Sequence, residues 1–176
     1  GNATKVTLGN ATDVTVATFR NTNTTGTVHT VVLGKDQDFN GAKLGDGAAG
    51  GNGLINFQLA NAINATLDGA TTANGANFTT DVPNTGELEF KGAGITANSV
   101  GVDGKGLAKV TFTQSGGIAN GTFAKEVNVI AGMTTTLGGR VKSDDFKLAG
   151  ALSKVVFSDG AIVDSVVKAT TANEGL

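Results

Sequence analysis

Apolar and polar residues alternate at the start of the chain, and the pattern is given twice. Gly1-Asn2-Ala3-Thr4-Lys5-Val6-Thr7-Leu8 is followed at once by Gly9-Asn10-Ala11-Thr12-Asp13-Val14-Thr15-Val16. A strand shows its side chains alternately to two faces, so a repeat of even length preserves facing. Val6, Leu8, Val14 and Val16 are therefore expected to share one apolar edge. Two shapes satisfy the pattern. In a hairpin near Gly9-Asn10, a three-residue loop pairs Val6 with Val14. The other shape is one continuous strand over residues 4–19, roughly 50 Å long at about 3.3 Å per residue. Such an arm far exceeds the usual strand of about 5–6 residues. It would have to change sheets or leave its domain and pair with a neighbouring subunit.

Short β-rich runs then recur between clusters of Gly, Asn and Asp. Strands are predicted over 27–33, 87–90, 107–113, 122–130, 133–137, 153–157 and 161–167. Segment 54–67 alternates through Ile55, Phe57, Leu59, Ile63, Ala65 and Leu67, which favours strands over a helix. Residues 36–53 read as a Gly- and Asp-rich loop, and a second loop carries the sole proline, Pro83. Ser158-Asp159-Gly160 has the composition of a hairpin turn. Residues 170–176 read as a polar tail. The nine phenylalanines fall mainly inside the predicted strands and read as core. Ten to twelve strands, roughly, predict an all-β fold: an antiparallel β-sandwich of jelly-roll or Greek-key type with an extended N-terminal strand. Residues 1–20 would form that strand or hairpin, and 21–176 the sandwich domain.

Composition narrows the function classes. At 176 residues the chain can bury a substantial core, and 39% hydrophobic content is too apolar for simple disorder. Thirteen Lys and Arg against fifteen Asp and Glu give a net charge of −2, with neither Tyr nor Trp. A nucleic-acid partner would need a basic stripe and stacking aromatics. No cysteine means no disulfide and no thiolate chemistry. No run of 18 apolar residues occurs, so no transmembrane segment is expected. A first residue of Gly rather than Met fits the loss of a preceding segment, of which an export signal is one kind.

The candidate chemistry is sparse. Asp36-Gln37-Asp38-Phe39-Asn40-Gly41 resembles the first half of a calcium loop, where alternating oxygens converge on the ion. Asp36, Asp38, Asn40 and Asp46 would be the ligands, although Gly47 stands where an EF-hand has its closing Glu. The same residues also make plain turns. Glu87 and Glu89 fall on one face of a strand and so imitate a glycosidase acid pair, but that spacing more often marks a solvated face. His29 is the only histidine, which rules out a multi-histidine zinc site. The glycine-rich run 45–53 lacks the Gly-Lys-Ser/Thr ending of a phosphate loop. Asn-X-Ser/Thr sequons occur at Asn2, Asn10, Asn23, Asn64, Asn77 and Asn120, and glycans are expected there only in an organism that glycosylates exported chains.

With its Gly/Thr/Asn/Ala bias, low charge and repeated first strand, the chain resembles bacterial and archaeal surface-layer and fimbrial β-sandwich subunits. The resemblance lies in composition over the whole length. It implies an extracellular, non-enzymatic structural subunit that polymerises with copies of itself by β-strand donation, with residues 2–19 as donor. The alternatives are a calcium-dependent adhesin or carbohydrate-binding module, and a virion tail or decoration protein.

Overall fold

The structure is a computed structural model that describes residues 5–9, 14–15, 17–22, 26–45 and 53–170. Among them every strand–strand pairing is parallel. The chain winds into a β-solenoid of about seven turns, each contributing strands to three faces. The first face stacks Lys5–Leu8, His29–Leu33 and Ile55–Leu59. The second stacks Val14–Thr15, Gln37–Asn40 and Asn64–Asp68, then Thr85–Phe90 and Leu107–Phe112. The third starts with Thr18–Phe19 on Lys43–Leu44 and continues through Gly116–Ile118, Thr134–Leu137 and Lys154–Phe157. Ala73–Thr80 and Thr96–Val100 run round the corner from the third face to the first. Thr122–Ile130 and Arg140–Ala149 do the same from the first to the second. Ile162–Val163 and Val167–Ala169 complete the last turn.

Register is kept from end to end. On the first face Val6, Val31, Phe57, Phe78, Val100, Thr122, Val141 and Val163 lie one above another. On the second face the sequence is Val14, Phe39, Leu67, Phe90, Phe112, Val129, Leu148 and Ala169. Ala97, Ile118, Leu137 and Phe157 form the later part of the third. From Val31 to Val141 the first-face positions are buried, and so are those of the second from Phe39 to Val129. The phenylalanines inside are mutually packed: Phe57 lies on Phe78 with ring centres 5.5 Å apart, and Phe90 on Phe112 at 4.5 Å. Ala73, Ala76 and Ala97, also buried, leave the room these rings need. Burying each large apolar side chain contributes about 1.5–3 kcal/mol, and stacked rings about 0.5–1.5 kcal/mol more.

The antiparallel sandwich is therefore overturned. Alternation tells which residues point inward, and a sandwich and a coil demand the same alternation. The corners decide between them. Parallel neighbours cannot be joined by a hairpin and need a long crossover; here the other two faces of each turn are that crossover. Gly101 shows how a corner is made: its φ is +67°, and a Cβ would run into the carbonyl oxygen of Phe123 in the turn above. Ser158-Asp159-Gly160 turns the chain from the third face to the first and joins no antiparallel pair. The expected 36–53 loop contains two strands, Gln37–Asn40 and Lys43–Leu44.

The extended N-terminal strand is corrected in the same way. Lys5–Leu8 lies on the first face and Val14–Thr15 on the second, so the octad repeat marks two faces of one turn. Val31 and Phe39 in the next turn are again eight residues apart. Gly9 stands at the corner, where the Gly34 amide donates to the Leu8 carbonyl at 2.9 Å.

Two substitutions probe this core in opposite directions. Phe112→Ala should lower unfolding free energy by about 3–5 kcal/mol, because it empties a fully buried stack. Thr122 is fully buried between Val100 and Val141, and its Oγ1 has no hydrogen-bond partner. Thr122→Val keeps the shape, removes that desolvated hydroxyl and should raise stability by about 1 kcal/mol. Urea titration followed by circular dichroism reads both.

Candidate functional site

Outward positions stack as faithfully as inward ones, which turns isolated polar residues into rows. One row on the second face runs Asn64, Glu87, Lys109, Glu126 and Asp145. Beside it run Asp38, Thr66, Glu89, Thr111, Asn128, Lys147 and Lys168. Adjacent strands are about 4.8 Å apart, so long side chains in these rows reach one another.

The two halves of this face differ. In the later turns acids and bases alternate. Lys147 Nζ lies 2.8 Å from Asp145 and 3.0 Å from Glu126, Lys109 is 3.4 Å from Glu126, and Lys168 is 3.3 Å from Asp145. Hydrogen bonds from Lys147 hold the Glu126 and Asp145 carboxyls below their ordinary pKa values, while the same contacts, Asp145 foremost, raise that of Lys147. In the earlier turns Asp36, Asp38, Glu87 and Glu89 line an open groove of about 700 Å³ with Asn64 and Thr66. Lys109 is the one cation among the groove's lining residues.

At the corner between the first and second faces, a second cluster ties distant turns together. Arg140 donates to Asp164 at 2.6 Å and to Asp103 at 3.0 Å, and Lys142 reaches Asp103 at 3.1 Å. The Lys142 hydrogen bond is the chief reason that the Asp103 carboxyl is depressed, and the Asp164 hydrogen bond the chief reason that Arg140 is raised.

Between the third and first faces, asparagines form a stack. Asn98 Nδ2 donates to Asn77 Oδ1 at 2.6 Å, and Asn120 Nδ2 donates to Asn98 Oδ1 at 2.7 Å. Two sequon asparagines, Asn77 and Asn120, thus have a structural role, whereas Asn64 is exposed at the groove. Asn2, Asn10 and Asn23 lie outside the described residues. The signal for this stack is present in the spacing: positions 77, 98 and 120, like Phe78, Val100 and Thr122, are separated by one turn of 21 or 22 residues.

Asp38 and Asn40 occupy alternate positions on the extended strand Gln37–Asn40, about 6.6 Å apart, so these two do not curl round a common centre, and Asp36 stands just before the strand. The Asp36 carboxylate accepts the Asn64 amide at 2.8 Å. Asp46 lies outside the described residues, among which no group of three or more acids or histidines is placed to hold a metal ion. Glu87 is exposed and Glu89 half-buried, both outward, and Glu89 is 3.9 Å from Lys91. His29 is half-buried opposite Ile55.

The ends of the coil are the other distinctive surfaces. Val6 occupies an inward position but is 52% exposed, and Leu8 packs half-buried against the core. Val14 pairs with Phe39, and Val16 lies outside the described residues. At the far end Leu152 is 84% exposed, Val166 68% and Ile162 60%. Lys154–Phe157, Ile162–Val163 and Val167–Ala169 are each paired on one side only among the described residues. No described helix is long and apolar enough to cross a membrane. Comparison with protein-family models, with curated proteins and with solved structures gives no match.

Acid should act through the paired carboxylates. Asp103, Glu126 and Asp145 bind protons less readily folded than unfolded, so their stabilisation is complete above about pH 5 and is lost as pH falls through their lowered values. Lys147→Met should shrink the stability difference between pH 7 and pH 3, and added salt should shrink it too. Urea titrations at both pH values, with and without salt, measure this.

Proposed function

We propose that this chain is a structural subunit of an extracellular filament, fimbria or surface layer, built by β-pairing between copies. The observation that carries the proposal is the last turn, a row of parallel edge strands flanked by exposed Leu152, Ile162 and Val166. An uncovered edge presents a ladder of amides and carbonyls and is a template for another strand. Natural sheets blunt such edges unless pairing is their use. Joining one end to a different end is a heterologous contact, which extends into a fibre when its rotation does not close into a ring. The low charge and the Gly/Thr/Asn/Ala bias suit the same role.

Strand pairing between copies here takes the form of edge addition. The described part of the segment first read as a donor arm is engaged along its own chain.

The acidic groove favours a second reading, a binding module of an adhesin. Its carboxylates, amide and hydroxyl offer many acceptors to a polyhydroxylated or cationic ligand. Without Tyr or Trp it has no broad platform for stacking sugars.

The two readings separate in one set of measurements. The chain should show concentration-dependent light scattering and filaments or sheets by negative-stain microscopy, and Leu152→Lys with Val166→Lys should reduce both. A monodisperse monomer at every concentration, with calorimetric binding to a glycan panel in the presence or absence of calcium, would overturn the structural reading in favour of the module.

A further inference from the structure

We infer that copies of this chain stack head to tail in register, the last turn of one lying under the first turn of the next. The inference rests on the structural-subunit reading and adds to it the identity of the two surfaces and their alignment.

The described strands at the two ends occupy the same ladder positions. Among the described residues the first-face ladder runs from Val6 to Val163 and the third-face ladder from Phe19 to Phe157. A copy added with the ladder unbroken puts the next copy's Val6 on Val163 and its Phe19 on Phe157. Val6 is an inward residue left 52% exposed, and Val163 is 37% exposed where Val141 beneath it is fully buried. Covering an inward position of this kind is what every interior turn already does.

Charge complementarity selects a second copy in this alignment. Arg140 stands opposite Ile162 and reaches diagonally to Asp164 at 2.6 Å. Lys5 stands two residues after Ala3 and one before Val6, so the next copy's Lys5 would face Ile162 from the other side. From there it approaches Asp164 along the same diagonal that Arg140 uses. On the third face the next copy's Arg20, one residue past Phe19, comes over Ser158 and beside Asp159. A slip of one residue would send every inward side chain outward and separate both pairs.

The chain has no cysteine, so a disulfide can report the register. Neighbouring parallel strands lie within the Cα separation that a disulfide spans. Val6→Cys mixed with Val163→Cys should give a crosslinked dimer under mild oxidation, and the double variant a ladder of oligomers. Thr7→Cys mixed with Val163→Cys should give far less, because Thr7 faces outward. As a second measurement, Arg20→Glu and Asp159→Lys should each weaken association about threefold, and mixing the two variants should restore it. Crosslinking of Val163→Cys alone, or equal crosslinking through Thr7→Cys, overturns the register. If the unsubstituted chain forms filaments while the Val6/Val163 pair stays uncrosslinked, the stacking fails and the structural reading stands. If no assembly forms at all, both fail.

Discussion

Parallel register is the constraint on which the rest of this molecule depends. Each inward side chain rests on the inward side chain of the turn before, so the core is a set of columns, and the columns of the three faces meet in the middle, where Phe19, Phe39 and Phe57 touch edge to face. Phe57 on Phe78 and Phe90 on Phe112 are such columns seen as stacked rings. In a coil of this kind stability is nearly a sum over turns and the contacts between neighbouring turns. Among the described residues the turn at either end is paired on one side only, and there Val6 and Val163 are partly exposed where Val31 and Val141 beside them are buried.

The same constraint organises the outer surface. Residues about 20 apart in sequence become neighbours about 4.8 Å apart in space, so a single acid or base per turn is enough to build a row. Where neighbouring rows carry opposite signs, as Glu126 and Asp145 do beside Lys147 and Lys168, they close into ion pairs. Where they do not, as around Asp36, Asp38, Glu87 and Glu89, an acidic groove results. The exposed pairs contribute little individually. Their main consequence is to fix which turn lies against which, a function shared with the Asn77–Asn98–Asn120 stack and with Asp103 and Arg140.

Much of the strand content was legible. Ile55, Phe57 and Leu59, the runs 107–113 and 122–130, and the assignment of the phenylalanines other than Phe123 to the core follow from alternation, which every β-fold shares. The coil was not legible, because its period is uneven. On the second face the step between successive turns ranges from 17 to 28 residues. The middle turns keep a step near 22, visible in Phe78, Val100 and Thr122, and the step from Val141 to Val163 returns to it after a shorter one. The opening octads were a true repeat read at the wrong level, since eight residues is the distance from one face to the next within a turn. The groove was invisible for a related reason: Asp36 and Glu87 belong to one surface only after the intervening turn has been wound.

Sequence alone determined that this protein is all β and, for most of the strands it marked, which side chains face inward, because alternation acts over a few residues; Phe39 and Leu44, buried within the segment read as a loop, escaped it. Tertiary structure decided what the bends do. A bend of similar composition can reverse a strand or carry it round a corner. The choice falls to contacts such as Gly101 against Phe123, or Gly34 against Leu8, between residues that lie a full turn apart.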